Sequence, residues 1–308
     1  MKKFINTPKY ILNRFIVLSI FTLIIGSLFD LQISKILYFR TSLIPQIIRL
    51  TGEMPMIIFS SALSFNLLYR YIKSLIDKDY KNINYPLLIL SLVGFILPAI
   101  ISANGIPDYF DNPFKYMWLV ILFFYLLISI LLSPIYKDIN LKNLEKFFRF
   151  IFSIIILTMI IMNLLKNIWT RARFYSLYEK NDYKEFSFWL IPQFRKHIID
   201  AYKSFPSGHT TSACVMLSWL FMPKELEEKP YSKLIRKFAI IWPITVAIER
   251  ILDGAHYMTD VSFAILFSSL IIKLSHYMIY ERKSFIKLFW GLNNLNPFGS
   301  FNIIYTLR

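Results

Sequence analysis

Two histidines, an aspartate and three cations stand in this chain at spacings that suit chemistry on an oxyanion. Lys166 and Arg173 bracket the run Lys-Asn-Ile-Trp-Thr-Arg-Ala-Arg, and Pro206-Ser207-Gly208-His209 forms a second cluster. Arg250, His256 and Asp260 fall within a third, Arg-Ile-Leu-Asp-Gly-Ala-His-Tyr-Met-Thr-Asp. Proline, serine and glycine ahead of an apolar run signal a helix start, where bare N–H groups and the positive dipole end favour an anion. Gly208 lets a ligand approach the backbone closely. Lys166, Arg173 and Arg250 supply permanent charge, and the two arginines can grip phosphate oxygens bidentately. His256 and Asp260 are four apart, so on a helix they share a face and the carboxylate can hold the imidazole tautomer. Taken singly, each cluster has a plainer reading: a helix cap, a local hydrogen bond, an arginine snorkelling at the end of a span. Their coincidence argues for a site.

The elements that must position these residues are membrane helices. Of the 308 residues, 56% are hydrophobic and 18% charged, against roughly 45–50% and 25% for soluble chains. With one cysteine, Cys214, a disulfide-stapled secreted domain is excluded, as are disordered and collagenous chains. Stretches suited to crossing the hydrocarbon lie near 15–29, 54–69, 85–103, 117–136, 150–165, 209–222, 238–251 and 258–280. The sixth is brief and carries Thr210, Thr211, Ser212 and Ser218, so neighbouring helices must shelter it. The chain reads as one integral-membrane domain, all-α, a polytopic bundle of about eight transmembrane helices.

A net charge of +16 would suggest nucleic acid in a soluble protein. Here the basic residues gather in loops that eight spans place on one face, which the positive-inside rule makes cytoplasmic, and no nucleic-acid partner is expected. The exception is the loop 166–208, whose Lys166, Arg171, Arg173, Lys180, Lys184, Arg195, Lys196 and Lys203 fall on the outer face. An anionic ligand is the simplest reason for that cluster. All three chemical clusters share the same face and depth. Two further stretches are apolar but too short to span, Phe186–Ile199 and Phe285–Trp290, and suit the membrane interface. The first apolar stretch has no small-residue cleavage site and runs on into Asp30 and Gln32, so no cleavable signal peptide is expected.

The three clusters resemble the signature of the type 2 phosphatidic acid phosphatase (PAP2) superfamily, over about residues 147–280. That signature is Lys, six residues, Arg-Pro; then Pro-Ser-Gly-His; then Ser-Arg, five residues, His, three residues, Asp. Lys166 and Arg173, Pro206 to His209, and Arg250, His256 and Asp260 match in order and spacing. Phe174 replaces the proline of the first motif, and Glu249 replaces the serine of the third. A carboxylate cannot donate the hydrogen bond a serine gives to phosphate, so either Glu249 turns away and pairs with a cation such as Lys166, or the site prefers a different leaving group. The resemblance implies a six-helix core, with two helices here additional, and a phosphatase that needs neither metal nor cofactor.

In that reading His256, oriented by Asp260, attacks phosphorus, and His209 protonates the leaving oxygen and then activates water. Lys166, Arg173, Arg250, Ser207 and the Gly208 amide hold the equatorial oxygens. The expected substrate is a lipid phosphate or pyrophosphate whose tails stay among the membrane lipids, with the aromatic segment Phe186–Phe194 as a docking element or lid for them. The expected location is a bacterial cytoplasmic membrane, multi-pass, with the site facing the periplasm or exterior. Rival readings are a phosphotransferase using a lipid acceptor, a transporter of anionic lipids, and a zinc hydrolase built on His197, His209 and His256.

Overall fold

The computed structural model describes residues 7–39, 43–105, 117–197 and 199–282. In chain order these form α1 (Pro8–Leu37), α2 (Leu43–Thr51), α3 (Met54–Ile76), α4 (Tyr85–Gly105), α5 (Met117–Tyr136) and α6 (Leu141–Trp169). After the short α7 (Phe174–Glu179) and a long irregular loop come α8 (Gly208–Cys214), α9 (Lys224–Glu227), α10 (Ser232–Leu252) and α11 (Met258–His276). No strand occurs among the described residues. The protein is a helical membrane bundle. Of the two short apolar stretches, Phe285–Trp290 lies outside the described residues.

Among the described residues, four helical stretches are long and apolar enough alone to cross a bilayer: Pro8–Leu37, Leu119–Tyr136, Leu141–Glu179 and Met258–Glu281. Of the other expected spans, α4 is apolar but shorter over its described stretch Tyr85–Ile100, while α3 and α10 are diluted by buried polar residues. In α3, Ser60, Ser61, Ser64 and Asn66 are buried, and Asn66 donates to the Ala62 carbonyl. In α10, Glu249 and Arg250 are buried. The sixth span is a short helix, α8, continued as 3-10 turns over Val215–Phe221. Its threonines explain the brevity: Thr211 Oγ1 donates back to the Ser207 carbonyl, a local bond that competes with regular helix. It survives because it is enclosed, with Thr210, Thr211 and residues 213–220 all buried.

Helix ends follow from the local sequence. Pro8 opens α1, where its missing N–H costs nothing. Asn140 caps α6 by accepting from the Lys142 N–H. That helix stops at Thr170, which takes the left-handed conformation (φ 40°, ψ 43°) and turns the chain toward the motif residues. Phe29 breaks the helical geometry of α1 immediately before the buried Asp30.

α11 lies at the centre, packed along α1 and against α6, α8 and α10, while α4 and α5 pack on α3 at the periphery. The core is aromatic: Trp219 makes edge contacts with Phe59, Tyr136 and Phe147. Outward-facing Val17, Phe21, Ile24, Phe123, Phe124, Leu131, Ile160 and Leu164 are exposed. Such a continuous apolar belt fits a lipid-facing surface, where helix association rests on packing rather than on water exclusion.

Candidate active site

Backbone hydrogen bonds tie the three motif segments together at one end of the bundle. The Arg173 N–H donates to the Ala201 carbonyl (2.8 Å), and the Ser204 N–H donates to the Arg171 carbonyl (3.1 Å). The Ser207 N–H reaches the Asp260 carbonyl (3.4 Å), and the His256 N–H reaches that of Arg250 (3.2 Å). Tyr175 N–H donates to Gly254, whose positive φ of 68° makes the turn between α10 and α11. The loop carrying the second motif therefore runs as a strap between the first and the third.

His256 sits in that last turn and is buried. Its Nδ1 is within hydrogen-bonding distance of the Ser204 carbonyl oxygen. A carbonyl can only accept, so Nδ1 carries the proton and Nε2 keeps its lone pair, without a protein partner among the described residues. Burial pushes this imidazole down to about 4, against the Asp260 carboxylate, which acts in the opposite direction. Asp260 Oδ2 stands 3.9 Å from Nδ1, too far for a hydrogen bond. The carboxylate acts at one remove: Oδ2 accepts from Ser204 Oγ (2.5 Å) and from the Tyr257 N–H (2.9 Å). It thus holds the segment whose carbonyl holds the ring, which corrects the expectation of direct contact.

Behind Asp260 lies a buried network that the motifs do not contain. Arg171 Nη1 donates to Asp260 Oδ1 (2.6 Å) and its Nη2 to Asp30 Oδ2 (2.9 Å). The guanidinium lies 4.1 Å over the Tyr257 ring, and Nε donates to the Ser187 carbonyl. Asp30 also accepts from the Thr259 hydroxyl and from its N–H (3.0 Å), which fastens α1 to the first turn of α11. Two signals for this network were present in the sequence: Arg171 lies between Lys166 and Arg173, and Asp30 is a carboxylate inside an apolar stretch.

The cations converge on His209. Lys166 Nζ would lie 3.2 Å from a Cβ placed on Gly208, so the glycine gives the ammonium its place over the α8 entrance. His209 feels the charges of Arg250, Lys166 and Arg173 and the neighbouring His256. The Ser207 hydroxyl is engaged at the helix start, donating to Thr210 Oγ1 (2.8 Å) and accepting from the Thr210 N–H. Both arginines are occupied by carboxylates. Arg173 forms a two-point pair with the exposed Asp200 (2.9 and 3.0 Å). Arg250 forms another with Glu249 (2.6 and 2.5 Å), and both partners are buried. Glu249 therefore pairs with its own neighbour and not with Lys166. The fork geometry lets Arg250 keep Nη1 for another acceptor.

Glu53 belongs to the same cleft and was missed by sequence reasoning. Its Oε1 lies 3.9 Å from His209 Nδ1 and accepts from Ser212 Oγ (3.3 Å). The loop 186–199 is bound to the end of α6 by Trp169 Nε1 to the Trp189 carbonyl and by the Phe194 N–H to that of Ile168. It leaves Phe188, Leu190, Ile191 and Phe194 exposed. A phosphoryl-sized anion would find here three cations, two imidazoles with different hydrogen-bond environments, and an apolar margin.

A family model described as PAP2 superfamily matches residues 147–284, which contain all three motifs. No curated protein and no solved structure matches the chain.

Proposed function

Because residues 147–284 are a PAP2-superfamily segment, a membership that supports phosphatase-type activity, we propose that this chain is a membrane phosphatase acting on a lipid phosphate or pyrophosphate. The observation that carries the reading is His256, fixed by the Ser204 carbonyl in the tautomer that leaves Nε2 free, beside a second histidine and three cations.

In this mechanism His256 Nε2 attacks phosphorus in line with the leaving oxygen. The N–P bond forms as the P–O bond breaks, and His209 delivers a proton to the departing oxygen. Water then gives a proton to His209 as its oxygen attacks phosphorus, which breaks the N–P bond and releases phosphate. Lys166, Arg173 and Arg250 stabilise the charge that spreads over the equatorial oxygens, with the Gly208 amide at the helix start. Asp260 and Arg171 set the position of the turn that carries His256. The substrate's tails would rest against the exposed apolar residues of the loop 186–194 and the lipid beyond.

The proposed site faces outward across the cytoplasmic membrane, since the basic loops lie at the opposite end. An Asp182→Cys variant tests this, because Asp182 is exposed whereas Cys214 is buried. An impermeant thiol reagent applied to intact cells should label it, and labelling only after lysis would reverse the orientation. The function is tested by phosphate release from a panel of lipid phosphates by detergent-purified protein with chelator present. Release by the wild type and its loss in His256→Ala are expected; full release by His256→Ala would refute the phosphohistidine.

A further inference from the structure

Glu53 stands outside all three motifs and outside the matched segment, yet it is built into the cleft. It ends the short connection between α2 and α3, and that connection is anchored where it passes His209. Trp242 Nε1 of α10 donates to the Gly52 carbonyl (3.0 Å). A Cβ on Gly52 would lie 3.1 Å from the Ile48 carbonyl oxygen and 3.4 Å from His209 Cδ2, so the backbone runs directly beside the ring. Ser212, one turn beyond His209 on α8, donates to Glu53 Oε1. The side chains of Glu53 and His209 keep 42% and 34% of their surface open, so neither is enclosed in the packed interior.

The groups facing His209 from the other elements are Lys166 of α6, Arg173 after it, Arg250 of α10 and His256 before α11. Arg173 and Arg250 carry permanent positive charge and Lys166 adds a third cation when protonated, which together oppose the imidazolium that a proton donor requires. Glu53 is the carboxylate on the open side of the ring. Partial loss of hydration among its neighbours weakens its own acidity, with the Ser212 hydrogen bond and then Lys166 and Arg250 acting to restore it.

We propose that Glu53 is a positioning residue for His209, accepting Nδ1–H so that Nε2 faces the leaving oxygen and the imidazolium is stabilised among the cations. The 3.9 Å separation in the free protein closes to a hydrogen bond when the ring is protonated. In the first step Nε2–H passes to the leaving oxygen while Nδ1–H stays on the carboxylate. In the second, Nε2 takes a proton from water as the water oxygen bonds to phosphorus and the phosphorus–His256 bond breaks. Glu53 gains and loses no proton over the cycle. The role rests on the phosphohistidine reading of the site.

The test compares wild type, Glu53→Gln and Glu53→Asp in steady-state phosphate release across pH, on whichever lipid phosphate the wild type hydrolyses. Glu53→Gln removes the negative charge, so His209 loses its proton at lower pH and the alkaline limb of kcat should move acidward by about one unit. kcat should fall about 10- to 100-fold with KM within about twofold, since the carboxylate serves the proton and not the substrate. Glu53→Asp keeps the charge and should return the limb to within a few tenths of a unit of wild type. An unmoved limb in Glu53→Gln, or a limb equally displaced in Glu53→Asp, overturns the proposal while leaving the phosphatase reading intact. A wild type that releases no phosphate from any substrate of the panel overturns both.

Discussion

Removing the Arg171 guanidinium should show that His256, the proposed nucleophile, is held from the far end of the chain. Arg171 is 1% exposed and lies between two carboxylates, Asp30 at 2.9 Å and Asp260 at 2.6 Å. With His256 neutral, the three-residue cluster carries one net negative charge; Arg171→Met leaves two buried negative charges facing each other. Breaking a buried pair by removing one partner costs about 3–5 kcal/mol. At roughly 2 °C per kcal/mol for a chain of this size, that is a loss of about 6–10 °C in Tm. Asp30→Asn alone loses the charge-assisted bonds from Arg171 and Thr259, at about 1–3 kcal/mol. The double variant removes a guanidinium and one of the carboxylates it neutralised. Its loss should therefore fall short of the summed single losses by about 1–3 kcal/mol, or 2–6 °C. Thermal unfolding of the four proteins in one detergent gives the cycle, and phosphate release from each should follow the same order. Losses that add to within about 0.5 kcal/mol would mean that Asp30 and Asp260 do not share Arg171, and the account of how the His256 turn is held would be wrong.

Asp200→Asn should free Arg173 from an exposed two-point partner; a pair of this kind is worth about 0.2–1 kcal/mol, so KM should drop about 1.5- to 5-fold, and a rise in KM would contradict the pairing. Because the free His256 imidazole is held down at about 4, it keeps its lone pair above that pH and loses it by protonation below; the acid limb of kcat/KM should lie near 4, and a limb near 6.5 would place the nucleophile elsewhere. Gly208→Ala puts a methyl group 3.2 Å from Lys166 Nζ and 3.3 Å from Met162 Sδ, so the flexible lysine must give way; phosphate release should fall about tenfold with Tm within about 2 °C, and unchanged kinetics would remove Lys166 from the site.

What the sequence made legible was the part of the site that obeys local rules. A proline-serine-glycine run marked the start of α8, and the four-residue spacing brought His256 and Asp260 near each other, at 3.9 Å, though not into the direct contact it suggested. The shelter needed by the sixth span was likewise written in its threonines and its length. The supports were harder to read. Ser204 lies 52 residues from His256, and Glu53 lies 159 from Ser212. Nothing in a periodic pattern signals that a carbonyl will face an imidazole across such separations. Glu249 shows the same limit in reverse: its failure to serve as a phosphate donor followed from its chemistry, while its partner, the adjacent Arg250, depends on a rotamer.

Glu53, Asp200 and Glu249 all lie among the cations of the proposed site, where negative charge would oppose an anion. Their placement resolves the conflict. Arg250 and Glu249 are both buried, and an unpaired guanidinium there would cost several kcal/mol; Glu249 takes Nε and Nη2 and leaves one nitrogen for substrate. Asp200 is exposed, so it satisfies Arg173 in the free protein and can exchange its place for a phosphate at little cost. Glu53 faces a histidine, where negative charge favours the proton that catalysis would spend. Two acidic residues beside the proposed site, Asp30 and Glu53, come from α1 and from the turn before α3, outside residues 147–284. The matched segment holds all three motifs while Asp30 and Glu53 precede it, so on the proposed mechanism a chain cut before residue 147 should lose phosphate release even if its own helices insert.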